Sequence, residues 1–175
     1  ETETKRCGDI VKGLLDFSRK DQENFNVQHL NKVLKETYDL MAHQMKMENI
    51  LFNSDFSALS DLIYCSENQI KQACVAILVN ASEAVLENGE IAIRTFNPDP
   101  DNIKIEIIDN GSGITPEDLP HIFEPFFSAK HKTSGIGLGL AIAHGIVISH
   151  KGRIEVDSKP GKGTIISVIL PLNKN

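Results

Sequence analysis

Apolar and polar positions alternate most clearly between residues 103 and 109. Ile103, Ile105 and Ile107 alternate with Lys104 and Glu106, which predicts a half-buried strand. Asp109 continues the parity of the isoleucines, so its carboxylate should face the apolar side. That position is costly unless something hydrogen-bonds to the carboxylate. Asn110-Gly111-Ser112-Gly113-Ile114 then breaks the strand. Further on, Gly135-Ile136-Gly137-Leu138-Gly139 leads straight into a helical pattern. A buried acid at a strand end, with glycines ahead of a helix N-terminus, suggests a nucleotide pocket.

Around this stretch the periodicity predicts further elements. Cys7, Ile10, Val11, Leu14 and Leu15 form the stripe of an amphipathic helix with no cap ahead of it, as if the chain began inside a longer helix. That helix packs either on its own domain or on a partner, and the polar run Ser18 to Asn26 reads as a linker. Leu30, Val33, Leu34, Tyr38, Leu40, Met41 and Met45 mark a second helix from about 28 to 46, with the methionines as core filler. Ile50 to Phe56 and Leu62 to Cys65 are short strands, expected to pair across the turn between them. Ser66 opens a third helix with Glu67 in its first turn. Its stripe is Ile70, Ala73, Cys74, Ile77, Leu78, Ala81, Ala84 and Val85. Asn80 lies at the edge of that stripe. Its side chain either bonds a backbone group or holds its oxygen out to a hard cation.

Asn88-Gly89 marks a turn, Ile91 to Phe96 a strand, and Pro98 to Asn102 a loop. Thr115 caps a short helix that opens with Pro116-Glu117-Asp118. His121 to His131 has no period but holds Phe123, Phe126 and Phe127, which read as an aromatic plug on the core. Leu138 to about Ser149 is a helix. Arg153 to Asp157 and Thr164 to Leu170 form a final strand pair around Pro160-Gly161-Lys162-Gly163. Strand pairs arriving as hairpins between helices predict an α+β fold, a mixed sheet covered on one face by helices.

Composition narrows the function. The 175 residues are 41% hydrophobic and 24% charged, which fits one globular domain with an appendage. A net charge of −6, without a long basic tract, gives no reason to expect nucleic acid as a partner. Three cysteines without C-x-x-C spacing point to free thiols in a reducing compartment. No signal-peptide pattern and no apolar run of about eighteen residues occur, so a cytoplasmic location without direct membrane contact is expected, even if a longer parent is membrane-anchored. Histidines and cysteines are scattered and no G-x-S-x-G occurs, so zinc and hydrolytic chemistry have little support. Gly161-Lys162-Gly163-Thr164 imitates the tail of a P-loop, but strands flank it and it reads as a hairpin turn. Lys130, His131 and Lys132 form either a solvated loop or a mobile lid whose cations neutralise phosphate.

Four segments resemble, in order, the N, G1, F and G2 boxes of sensor histidine kinases. They are Asn80-Ala81, Asp109-Asn110-Gly111-Ser112-Gly113, Phe123-Glu124-Pro125-Phe126-Phe127, and Gly135-Ile136-Gly137-Leu138-Gly139-Leu140. Gly161-x-Gly163-Thr164 and Leu170-Pro171 resemble the end of that catalytic domain. The resemblance runs from about 28 to 172 and is nearest to the nitrogen-regulation type. Gly13 to Arg19 resembles the second helix of the family's dimerisation and phosphotransfer hairpin. This implies two parts: residues 1–22 as the end of the hairpin, and 23–175 as a catalytic domain. The implied fold of the latter is a two-layer α/β sandwich of the Bergerat ATP-binding type, with a mixed, mostly antiparallel sheet.

The implied cofactors are ATP and Mg²⁺. The γ-phosphate would go to a histidine on the protein's own hairpin domain. The implied partners are that hairpin, a response-regulator receiver domain, and a second copy in a full-length homodimer. Residue by residue, Asp109 would accept from the adenine amino group. Gly111 and Gly113 would let the loop, running on to Ile114, pass close to the base. Asn80 would bind Mg²⁺, and Phe126 and Phe127 would anchor the lid. Lys130 is the preferred lid cation, ahead of His131 and Lys132. Gly135, Gly137, Leu138 and Gly139 would reach the phosphates, and Thr164 would sit near the adenine through its hydroxyl.

The sequence also departs from the family. A second asparagine common four residues before the magnesium ligand is Ala76 here, and a lysine common three residues after it is Glu83. ATPases of the same fold that hydrolyse ATP with a general base carry a glutamate at the position of Ala76. Alanine cannot activate water, which favours transfer over hydrolysis. None of His29, His43, His121, His131, His144 or His150 is followed by an acid, as the family's phosphoacceptor is. The chain is therefore expected not to phosphorylate itself. Two other readings are a degenerate, nucleotide-regulated binding module and a serine kinase of anti-sigma-factor type. The helix stub at 5 to 20 argues against the second.

Overall fold

The computed structural model describes residues 24–127 and 137–173. The stripe from Cys7 to Leu15, the boundary expected at residue 22, and Lys130, His131, Lys132 and Gly135 all lie outside those residues.

The centre is a five-stranded sheet. From one edge it runs β2 (Leu51–Phe56), β4 (Glu90–Asp99), β5 (Asn102–Asp109), β7 (Gly163–Pro171) and β6 (Arg153–Lys159). β2 is parallel to β4, and the other pairings in this sheet are antiparallel. Three helices cover one face: α1 (Leu30–Met47), α2 (Glu67–Ala84) and α3 (Gly139–Ser149). Beneath them lie Ile91 and Ile93 of β4, Ile103, Ile105 and Ile107 of β5, and Ile166, Val168 and Leu170 of β7, all buried. Each such side chain contributes roughly 1.5–3 kcal/mol by leaving water.

The opposite face carries the polar half of the alternation. Arg94 stands opposite Glu106 in register and bonds it at 2.6 Å, and Lys104 reaches Glu155 at 3.6 Å. The molecule is thus the α+β, two-layer arrangement that the hydrophobic pattern predicts.

The connection around Ala58 departs from expectation. Ile50 to Phe56 and Leu62 to Cys65 do not pair with each other. β2 adds to the main sheet beside β4, while β3 (Leu62–Cys65) joins β1 (Asn26–His29) in a separate antiparallel ribbon. The intervening chain is held by remote partners. Ser60 N donates to Asn97 Oδ1 at 3.1 Å, and Asn97 Nδ2 donates back to Ser60 O at 2.8 Å. Asn31 Nδ2 donates to Ala58 O at 3.0 Å. A hairpin between the two strands would forgo these bonds and the parallel β2–β4 ladder. β4 also runs on through Pro98, expected to open a loop. A register shift between Phe96 and Asp99 accommodates the missing N–H.

α2 and α3 are pinned together at one end by a histidine. Ser66 caps α2, its hydroxyl accepting from Gln69 N at 3.4 Å, and Ser66 N donates to His150 Nε2 at 3.1 Å. An acceptor at Nε2 requires the proton on Nδ1, which donates to Ile146 O at 2.7 Å. Phe25 stacks on the ring with centroids 4.7 Å apart. Burial holds the His150 pKa below its ordinary value of 6.5. Well above pH 6.5 the residue is neutral in folded and unfolded chains alike. Below it, the unfolded chain binds a proton that folded His150 refuses, so stability falls until the lower folded value is reached. Urea unfolding should show this component, at most about 1.4 kcal/mol per pH unit. It should vanish in His150→Gln, whose amide can accept at the Nε2 position without titrating.

Candidate functional site

The C-terminal end of β5 sets one end of the site. Asp109 follows three inward isoleucines and is 8% exposed. Its Oδ1 accepts from Gly111 N at 2.8 Å. Burial pushes the carboxyl pKa up, and the backbone N–H groups of Gly111 and Thr164 partly offset that. No ion pair involves Asp109 among the described residues. A carboxylate so placed keeps lone pairs free to accept a further hydrogen bond.

Thr164 stands opposite Asp109 in the β5–β7 register and is 6% exposed. The two strands meet so closely here that a side chain at Gly163 (φ +89°) would come within 1.9 Å of Asp109 O. The loop after Asp109 is pressed onto neighbouring backbone in the same way. A Cβ on Gly111 would lie 2.4 Å from Ala84 O, and one on Gly113 (φ +67°) 2.1 Å from Lys159 O. Ser112 N donates to Ala84 O, and Gly161 N to Ser112 O, at 2.9 and 2.7 Å. Ile114 N donates to Ser158 Oγ at 2.8 Å.

α2 carries the site onward. Ala84, which receives the loop, lies one turn after Asn80 on the same helix. Asn80 is half-buried and faces the start of α3. A Cβ added at Gly139 would have Ala76 Cβ at 3.8 Å and Asn80 Nδ2 at 4.0 Å, which is ordinary contact. Leu138 stands at the N-cap of α3 and supplies no side-chain cap. Among the described residues no side-chain oxygen caps the first-turn N–H groups, which carry the helix's positive end and suit an anion.

The phenylalanine segment closes over this end through its backbone. Phe126 N donates to Gly137 O at 2.9 Å, and a Cβ on Gly137 (φ +72°) would lie 2.5 Å from Phe127 O. The rings do not form the plug expected of them. Phe126 is 72% exposed at φ +66°. Phe123 lies against His144, and Phe127 against His121.

The structure therefore groups Asp109, Gly111, Gly113, Ile114 and Thr164 at one end, and Asn80, Phe126, Gly137, Leu138 and Gly139 at the other. Lys130 and Gly135 are outside the described residues. Sequence reasoning missed Ser158, whose hydroxyl lies 2.8 Å from Thr164 Oγ1. The signal was available, because a hairpin closing at Gly163 sets Ser158 opposite Thr164.

A buried sheet-end carboxylate beside close-packed glycines, linked through α2 to a glycine-led helix start, fits a nucleotide-binding α+β domain. The family model described as histidine kinase-, DNA gyrase B- and HSP90-like ATPase matches residues 65–174, and the chain belongs to that family. It is 32% identical over 174 residues to sporulation kinase E of Bacillus subtilis, covering 99% of this chain and 23% of that protein. It is 35% identical over 164 residues to the signal transduction histidine-protein kinase AtoS of Escherichia coli, covering 94% of this chain and 27% of that protein. The chain thus spans well under half the length of these curated relatives. Among solved structures, the catalytic domain of histidine kinase ThkA superposes with a TM-score of 0.74 at 28% identity, over 85% of this chain and 97% of that one. Among the described residues, no helix is long and apolar enough to cross a membrane.

Two glycines in one hairpin separate space from conformation. Gly163→Ala forces a backbone clash at positive φ and should cost about 2–4 kcal/mol of stability. Gly161 (φ +74°) has nothing within 4 Å of an added Cβ, so Gly161→Ala should cost only about 1–2 kcal/mol. Chemical denaturation of both variants checks the ranking.

Proposed function

We propose that the domain binds Mg-ATP in this site and, within its parent protein, acts as the catalytic domain of a sensor histidine kinase. The observation that carries the proposal is the buried Asp109 carboxylate, held by Gly111 N at 2.8 Å and lacking a cationic partner among the described residues. Asp109 accepts from the adenine amino group, Thr164 supplies a hydroxyl beside it, and Gly111, Gly113 and Ile114 carry the loop along the base. Gly137, Leu138 and Gly139, with Gly135, bring N–H groups to the phosphates. Phe126 and Phe127 anchor the intervening segment, on which Lys130 offers a cation. Mg-ATP, when bound, would supply the transferable phosphoryl group and a cation that screens its charge, with Asn80 as the residue that would hold the metal.

The residues fit that cofactor. Among the described residues no group of three or more His, Cys, Asp or Glu could hold a metal by itself. Asn80 would offer a hard cation one side-chain oxygen, in keeping with the few protein ligands that Mg²⁺ usually takes. Ala76 places no base on the turn of α2 before Asn80, so the domain positions phosphate and does not activate water.

In the parent protein, residues 1–22 end the dimerisation hairpin, and the γ-phosphate passes to that hairpin's histidine and then to a receiver domain. Two copies form the kinase, on the cytoplasmic side. ThkA in complex with response regulator protein TrrA, which matches 98% of this chain at 27% identity and a TM-score of 0.78, supports that partnership.

Calorimetric titration of Mg-ATP into the wild type and Asp109→Asn tests the site. The wild type should bind, and the variant should lose at least about tenfold in affinity, one charge-assisted hydrogen bond's worth. Burial penalises the ionised carboxylate, so above its raised pKa that charge opposes folding. Asp109→Asn should therefore be no less stable than wild type at neutral pH. A folded wild type that leaves Mg-ATP unbound sinks the proposal. Incubated alone with radiolabelled ATP, the chain should acquire no acid-labile phosphate.

A further inference from the structure

Ser158 sits where three parts of the base end meet. It lies near the end of β6, half-buried and opposite Thr164. Its Oγ is 2.8 Å from Ile114 N, 2.8 Å from Thr164 Oγ1 and 3.1 Å from Gly163 O. A hydroxyl has one proton and two acceptor lone pairs. The Ile114 N–H occupies one lone pair. If the Ser158 proton goes to Gly163 O, Thr164 donates to Ser158 and turns its lone pairs toward the pocket. If it goes to Thr164, the Thr164 proton is turned outward. In both arrangements Ser158 restricts what Thr164 presents, while pinning the loop that leaves Asp109. Gly163 is the residue packed against the backbone carbonyl of Asp109, so the Ser158–Gly163 bond bears on the backbone that carries that carboxylate.

We propose that Ser158 is a positioning residue for base selection, holding the Thr164 hydroxyl and the Ile114 end of the loop so that the site prefers a 6-amino purine to a 6-oxo purine. This rests on the Mg-ATP reading. Ser158 acts through Thr164 and Asp109. The 6-amino group donates to Asp109, whereas a 6-oxo group would set a second acceptor against that carboxylate. The preference is only as sharp as the geometry that keeps the purine edge against Asp109. Releasing the loop and the threonine lets a 6-oxo purine shift away from the carboxylate, and costs the 6-amino purine its alignment.

The test is calorimetric titration of Mg-ATP and Mg-ITP into wild type, Ser158→Ala and Ser158→Thr, with thermal unfolding of each. In Ser158→Ala, ATP affinity should fall about tenfold and ITP affinity much less, narrowing the ATP-to-ITP ratio by nearly the same factor. Ser158→Thr keeps a hydroxyl and should retain the wild-type ratio. Should the alanine variant fail to fold, Ser158→Cys fills the same space with a weak hydrogen-bonding thiol and should narrow the ratio likewise. An unchanged ratio in the folded alanine or cysteine variant, with affinity lost equally for both nucleotides or only thermal stability lost, overturns the proposal. A wild type that binds ATP while Ser158→Ala keeps the ratio overturns this inference alone. A wild type that binds neither nucleotide overturns the Mg-ATP reading along with it.

Discussion

Everything at the site depends on how closely β7 and the loop after β5 approach the end of β5. Gly163 lies against the carbonyl of Asp109, and Gly111 against the carbonyl of Ala84, at separations that no side chain permits. These contacts set Thr164 opposite Asp109 and tie the site to α2. A larger residue at Gly163 would push β7 off the end of β5, and one at Gly111 would push the loop off α2. The close approach also explains how a carboxylate on the apolar parity is tolerated, because backbone N–H groups are near enough to satisfy it.

α2 is the beam between the two ends. Its inward stripe of Ile70, Ala73, Cys74, Ile77, Leu78 and Ala81 is buried on the core, which fixes the rotation of the helix. With that rotation set, Asn80 falls toward the start of α3 and Ala84 toward the glycine loop. His150 and Ser66 lock the far end of the same two helices, so the relation of Asn80 to Gly139 does not rest on local contacts alone. Packing of an apolar stripe and one neutral histidine thus maintain polar geometry a helix length away.

The sequence made much of this legible. Alternation revealed β5 and the inward direction of Asp109, helical periodicity revealed α1, α2 and α3, and the Pro160–Gly163 turn revealed the β6–β7 hairpin. Those are local signals, and each element's own residues carry them. The Ser66 cap and the Asn88-Gly89 turn were equally readable for the same reason. The four ordered boxes pointed to the family before any geometry was known.

What the sequence could not determine were choices between partners. β2 and β3 each have the pattern of a strand, but the pattern does not say that β2 lies parallel to β4 while β3 joins β1. That choice is settled by remote bonds from Asn97 and Asn31 and by the sheet edge that β4 offers. Phe126 reads as core from composition alone, and only the bond from its N–H to Gly137 O explains why its backbone is held while its ring stays in water. Ser158's place opposite Thr164 follows from the hairpin, but its bond from Ile114 N, 44 residues away in the chain, does not. The sequence by itself determined the elements, their buried faces and the residue types at the site, because periodicity and backbone preference are local. The tertiary structure alone decided which strands pair, which backbone atoms nearly touch and which hydroxyls meet, because those depend on distances between segments that no local pattern records.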